Sequence, residues 1–227
     1  MKKSLVAVLT ATLLTLSVTV TWGAPKCDTW NLALDYLRAP NQSQAVYPDA
    51  CGAPVWHFMK SENLTPDPAT YTLLDTFSDY GPYCNPGTAM KSWSGADSPH
   101  VSVNASGVNQ VCDPWAPITV NSAVSFTHPT PSRYAVVGWK SPVSGKVSVK
   151  VAIADLDPWG GDGVDWFIQN GNKMLATGVI ANGASDAWNG AKIDIKKGDF
   201  LYIGIGPGPN GDYYFDTTAL DILITKP

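Results

Sequence analysis

Apolar and polar residues alternate with a period of two along most of the second half of the chain. Val147, Val149, Val151 and Ile153 share one face of an extended segment, while Ser148, Lys150 and Ala152 share the other. Such alternation predicts a half-buried β-strand, because successive side chains of a strand point to opposite faces. The period recurs in Val164, Trp166 and Ile168, which alternate with Asp165, Phe167 and Gln169. It recurs again in Leu201, Ile203 and Ile205, and in Leu220, Ile222 and Ile224. Turn dipeptides separate these runs: Ser144-Gly145, Asn170-Gly171, Asn182-Gly183, Asn189-Gly190, Gly198-Asp199 and Asn210-Gly211. About seven strands at short intervals from Ser122 onward predict an all-β fold, an antiparallel β-sandwich or jelly roll.

The first half is less regular. Trp30 to Leu37, Val55 to Lys60, Tyr71 to Phe77 and His100 to Asn104 read as strands. Helical periodicity is almost absent, apart from one turn that Asp67 caps and Pro68 opens. No internal repeat or composition break divides the chain. The predicted organisation is a signal peptide over 1–23 and a single β-sandwich domain over 24–227. Within that domain 24–121 is a loop-rich, disulfide-stapled elaboration and 122–227 carries the regular strands. A separate N-terminal subdomain is the competing arrangement.

The signal reading rests on Lys2-Lys3, the uncharged apolar run from Leu5 to Val20, and Thr21-Trp22-Gly23 before Ala24. An uncleaved anchor is its alternative. Cleavage predicts a secreted or periplasmic protein with no stable membrane insertion. It removes two of the fifteen basic residues and none of the nineteen acidic ones, so net charge moves from −4 to −6. No basic stripe is present, which argues against nucleic acid as a partner. The acids are eighteen Asp and one Glu, Glu62, beside 20 Gly and 18 Pro. Asp favours turns, caps and ion-binding loops where Glu favours helix interiors, so this is the composition of a β protein with long ordered loops. Cys27, Cys51, Cys84 and Cys112 all follow the signal, and export predicts two disulfides among them. Of three connectivities, Cys27–Cys51 with Cys84–Cys112 is favoured, since each bridge then staples one loop-rich stretch.

The chemistry concentrates in one loop. Asp155-Leu-Asp-Pro-Trp-Gly-Gly-Asp-Gly-Val-Asp-Trp166 holds four carboxylates, three glycines and two tryptophans directly after a predicted strand. Asp155, Asp157 and Asp162, with carbonyls around Gly160-Gly161, suit a structural calcium ion, which takes six to eight oxygens. Hydrated, turn-capping aspartates are the alternative. A second cluster, Asp212-Tyr-Tyr-Phe-Asp216, follows the turn Gly206-Pro-Gly-Pro-Asn-Gly211. In a sandwich this turn and the Asp155 loop are expected at the same end. Consecutive Tyr213 and Tyr214 of an extended segment fall on opposite faces, which predicts that one is core. Trp159, Trp188, Tyr213 and Tyr214 are candidate platforms for sugar C–H faces, with Asp165 as a polar partner. Trp56, Trp139 and Trp166 sit in strand patterns and are assigned to the core.

Catalytic signatures are absent: no G-x-S-x-G, no H-E-x-x-H, no phosphate-binding loop. His57, His100 and His128 are scattered among apolar residues and read as structural. A glycosidase acting through an Asp pair is the enzymatic alternative, and a sandwich that contacts another protein is the third.

Several motifs resemble a recurrent module of secreted bacterial proteins, the lectin-like jelly rolls of carbohydrate-binding modules. They are Val137-Gly-Trp-Lys-Ser-Pro-Val-Ser-Gly145, Asp155-Leu-Asp-Pro, Gly161-Asp-Gly-Val-Asp-Trp166, Lys197-Gly-Asp199 and Tyr214-Phe-Asp-Thr-Thr-Ala-Leu-Asp221. Trp56-His-Phe-Met59 and Tyr71-Thr-Leu-Leu74 extend the likeness into the first half. The resemblance implies non-catalytic binding of extracellular or cell-surface glycan. It also implies a structural calcium for which Asp216 or Asp221 would be the late ligand.

Overall fold

The computed structural model describes residues 27–79, 84, 90–94, 99–112 and 116–227. The expected signal peptide lies outside the described residues. Among those residues no helix is long and apolar enough to cross a membrane.

The strands are β1 (Thr29–Asn31), β2 (Val46–Pro48), β3 (Pro54–Lys60), β4 (Thr72–Leu73), β5 (Thr76–Ser78), β6 (Met90–Ser94), β7 (His100–Asn104), β8 (Gln110–Cys112), β9 (Ile118–Val120), β10 (Ser125–His128), β11 (Ala135–Lys140), β12 (Gly145–Asp155), β13 (Val164–Asn170), β14 (Lys173–Ile180), β15 (Ser185–Ile195), β16 (Phe200–Gly206) and β17 (Thr218–Thr225). Two antiparallel sheets form the sandwich. One runs β15-β12-β17-β10-β7-β6-β5 with β1 also on β17, and the other runs β14-β13-β16-β11-β3-β2 with β4 also on β3. From β10 onward the chain changes sheet at every connection except the β13–β14 hairpin, the jelly-roll habit. The expected all-β sandwich is what the chain forms, with eight strands after Ser122 where the alternation predicts about seven.

Alternation explains the inner faces. Val147, Val149, Val151 and Ile153 of β12 pack with Ile222 and Ile224 of β17 against Leu201, Ile203 and Ile205 of β16. Trp30 of β1 meets Trp139 of β11 across the sandwich, with ring centroids 5.1 Å apart. Trp56, Trp139 and Trp166 are core, as the strand patterns imply. The second sheet departs from simple alternation because its outer face is also covered. Tyr71 lies over Phe167 and Tyr202 there, and its hydroxyl donates to Gln169 Oε1 at 2.8 Å. Both disulfides have the favoured pairing, Cys27–Cys51 and Cys84–Cys112.

Two predicted strands differ. Trp30 to Leu37 is β1 followed by a helix α1, Leu32–Arg38. Asn31 caps it, its side chain accepting from Leu34 N at 2.9 Å, and Asp35 Oδ2 accepts from Asn31 N at 3.2 Å. Leu32, Ala33 and Tyr36 turn inward, a helical spacing too short to show as a period in sequence. Tyr71 to Phe77 is split between β4 and β5. The turn capped by Asp67 forms as a 3-10 turn, Pro68–Thr70.

Two buried carboxylates serve the tryptophans of the core. Asp49 accepts from Trp30 Nε1 at 2.8 Å and from the amides of Cys51 and Ala53 at 2.9 Å each. Asp35 accepts from Trp56 Nε1 at 2.9 Å, and burial pushes its carboxyl above the usual range. Asp49→Ala strands three donors, so a loss of ~2–4 kcal/mol is expected in urea unfolding with unchanged slope. Exposed Asp75→Ala serves as the control and should stay within ~0.5 kcal/mol.

Candidate functional site

Strand register brings four loops to one end of the sandwich. Asp155 pairs with Thr218, Val164 with Ile180, Asp165 with Gly206 and Ala135 with Ile205. The connections 129–134, 156–163, 181–184 and 207–217 therefore converge. The two acidic loops share an end, as the calcium expectation requires. Their fit is close: a Cβ on Gly163 would stand 2.0 Å from the Ile180 carbonyl, and one on Gly161 2.6 Å from the Tyr214 carbonyl. Both glycines have positive φ, so a side chain is excluded on two counts. Phe215 also has a positive φ, 66°, an uncommon state for a bulky residue, and its ring lies against Gly160.

The predicted metal ligands sort into two groups. Asp155 is committed to the backbone, accepting from Asp157 N at 2.9 Å and Gly183 N at 3.1 Å. Asp165, expected at a ligand surface, instead ties loops together: Gly208 N donates to it at 3.1 Å and the Tyr134 hydroxyl at 2.7 Å. Asp162 uses Oδ2 to accept from Asn210 N at 2.9 Å, while its buried Oδ1 has no partner. Asp216 is fully buried, and neither of its carboxylate oxygens has a hydrogen-bond partner. Burial first, then the charges of Asp155, Asp162, Asp212 and Asp165, push its carboxyl up to about 8. Each unsatisfied buried polar atom of this kind costs ~1–3 kcal/mol. Asn182, in the turn that packs on Gly163, has a buried Oδ1 in the same condition. Asp157 is nearly buried and faces the neighbouring cavity. Among the described residues, no group of three or more His, Cys, Asp or Glu side chains is placed to hold a metal ion.

That cavity, about 250 Å³, is lined by His100, His128, Asp157, Tyr213, Tyr214 and Phe215, among others. Tyr214, on the cavity wall, and Trp159, two residues from Asp157, have 61% and 60% of their surfaces exposed. The indole of Trp159 is held in place although exposed, because Nε1 donates to the Pro117 carbonyl at 3.1 Å. Tyr213 and Tyr214 lie on a loop, contrary to the strand expectation, and their rings touch at a centroid distance of 4.5 Å. Trp188 is not brought to this end. It pairs with Val151 in mid-strand, half-buried against the core and lying over Gly190.

Sequence reading missed the histidine pair. His100 and His128 occupy facing positions on β7 and β10 and stack with centroids 5.4 Å apart. Nδ1 of His128 donates to the Pro129 carbonyl at 2.7 Å, while His100 Nε2 is buried without a partner. Only strand register joins two residues 28 positions apart, so no local signal pointed to them.

No protein-family model matches this sequence, and no curated protein matches it. Among solved structures, the chain is similar to a Podospora anserina GH26-CBM35 β-(1,4)-mannanase, with TM-score 0.31 and 10% identity over 58% of this chain. That match spans only 28% of the mannanase chain. It is also similar to a family 29 carbohydrate-binding module complexed with mannohexaose, with TM-score 0.28, 11% identity, and coverage of 66% of this chain and 89% of that one. These are resemblances of backbone shape.

Burial pushes the pKa of both histidines below its ordinary value, His100 furthest. A lowered folded pKa contributes stability above the unfolded value near 6.5 and loses it as pH falls below that value. Unfolding free energy should therefore decline between pH 6.5 and 5, with a slope of ~1.4 kcal/mol per pH unit for each neutral histidine. His100→Phe should remove one histidine's share of that slope, read from denaturant midpoints across the range. A slope identical to that of the unaltered protein would contradict the burial of His100.

Proposed function

We propose that this chain is an exported, non-catalytic protein that binds extracellular glycan at the loop end of its sandwich. The reading is carried by one observation: two aromatic rings stand exposed at this end, Tyr214 on the wall of a cavity of mixed polar and apolar lining and Trp159 two residues from Asp157 in that wall. Large exposed rings are costly in water unless a ligand covers them, and flat indole and phenol faces suit the C–H faces of sugars. His100, His128, Asp157 and Tyr213 line the cavity and supply polar groups for sugar hydroxyls. The cavity is smaller than the ~300–1,000 Å³ typical of drug-sized ligands. It suits one sugar ring entered from a chain end, with the two exposed rings carrying the neighbouring unit.

Two disulfides favour export, because such bridges persist in oxidising compartments. A binding role is favoured over hydrolysis by the state of the aspartates. Asp155 and Asp165 spend their oxygens on backbone amides and Tyr134, and Asp216 is out of solvent. A pair flanking a glycosidic bond needs both carboxyls open to substrate.

A glycan array with the folded chain is the direct test, followed by calorimetry on any hit. Trp159→Ala and Tyr214→Ala should each weaken binding about tenfold, ~1.4 kcal/mol, with melting temperature unchanged. Met174→Ala, an exposed apolar change at the opposite end, should leave affinity intact. Silence across chemically diverse glycans, with the protein demonstrably folded, would sink the proposal.

A further inference from the structure

We propose that a cleft at the pole opposite the loop end binds an anionic amphiphile, an alkyl chain ending in a phosphate, sulfate or carboxylate. Strands β11 and β16 run the length of the sandwich, with Ala135 and Ile205 at the loop end and Lys140 and Phe200 at the other. At that far pole a cavity of about 390 Å³ lies among the 53–55, 140–142 and 197–198 segments. Ala53, Pro54, Val55 and Pro142 give it apolar walls, and the exposed residues Lys140 and Lys197 join the lining. The walls are set before any ligand arrives. Asp49 and the Cys27–Cys51 bridge fix one side, Asp49 accepting from Ala53 N at 2.9 Å. On the other side Ser141 N donates to the Asp199 carbonyl at 2.8 Å, and Gly198 N donates to the Ser141 carbonyl at 2.8 Å. Lys197 N donates to Ser144 Oγ at 2.9 Å, so its main chain is held while its side chain reaches solvent.

Charge identifies the head of the ligand. The chain as a whole is acidic, with net charge −4. Segments 140–146, 170–173 and 194–200 nevertheless meet at this pole with five lysines and two acids, Asp194 and Asp199. Asp194 is paired with Lys146 at 2.7 Å, and Asp199 Oδ2 accepts from Lys196 N at 2.9 Å. Among the described residues neither Lys140 nor Lys197 forms an ion pair. Lys140 Nζ instead lies over Phe200, 5.8 Å from the ring centroid. Lysine stems extend the apolar wall with methylenes, while unneutralised ammonium groups draw an anion. An inorganic anion would leave the wall bare, and an uncharged chain would leave the ammonium groups unused. A chain with an anionic head answers both, and the volume falls within the ~300–1,000 Å³ of small-molecule sites. The cleft lies at the far pole from the rings assigned to glycan, and its test uses no sugar.

The test is calorimetry of the full chain with decyl phosphate, kept monomeric by working below its micelle-forming concentration. Salt at ~0.15 M screens charges more than ~8 Å away, so the response reports the cleft and not the net field. Binding should be one to one. A decyl chain with a neutral ethylene-glycol head, and inorganic phosphate alone, should each bind at least about tenfold more weakly. Lys140→Gln and Lys197→Gln should each weaken decyl phosphate about fivefold. Lys173→Gln, at the same pole but outside the cleft, should change it by less than about twofold. The proposal is overturned if the folded chain does not bind decyl phosphate, or if the neutral amphiphile binds equally well. It is also overturned if Lys173→Gln costs as much as Lys197→Gln, or if the chain binds phosphatidylglycerol vesicles but not monomeric decyl phosphate.

Discussion

The bonding of β17 fixes the rest of the molecule. Its whole length pairs with β12 on one edge, while the other edge is shared, β10 taking Thr218–Leu220 and β1 taking Leu223–Thr225. The last strand therefore joins the first described strand, β1, to β10 and to the eleven-residue β12. A slip of one residue would turn Leu220, Ile222 and Ile224 outward and bring Asp221 and Leu223 into the core. It would also displace Thr218 from Asp155, and with it the alignment of the two acidic loops. The register that buries the core is the same register that assembles the loop end.

Buried carboxylates are handled in two ways in this fold. Asp35 and Asp49 lie under the sandwich margin and are satisfied by indole and backbone N–H groups, so they fix Trp30 and Trp56 in single orientations. Asp216 is buried as deeply and has no donor at all. Asp216 is the acid of this loop end with neither oxygen bonded, a costly state because the desolvation penalty for a carboxylate is large. The contrast between Asp49 and Asp216, within one chain, is one of donors: three N–H groups meet the first and none meets the second.

How much of this could be read from sequence depends on range. Strands such as 147–153 and 220–224 were legible because burial on one face writes a period of two into the chain. The period is misleading in β13 and β16, where Phe167, Gln169 and Tyr202 face outward yet are buried under Tyr71. The helix over Leu32–Arg38 was not legible, since two turns hold too few residues to distinguish 3.6 from 2. Composition singled out the 156–163 loop, which register places at the end where four loops converge. Trp188 shares that Asn/Gly/Asp-rich context but is covered by its own strand and core, which only pairing with Val151 decides. The stacking of His100 on His128 depends on register alone.

The backbone at Phe215 couples the interior of the loop end to its surface. Its left-handed conformation reverses the direction of the chain between Tyr214, which faces solvent, and Asp216, which is buried. The Phe215 ring rests on Gly160, the residue after Trp159, so both exposed rings flank one contact. A residue in this conformation costs ~1–3 kcal/mol and persists only where its surroundings hold it. That turn sets the position of Tyr214 and, through the contact on Gly160, of Trp159. Fixing those rings before a ligand arrives removes part of the ordering cost of binding. The buried acid and the exposed aromatics are thus two ends of one turn, packed on glycines and tied by backbone hydrogen bonds to Asp155, Asp162 and Asp165.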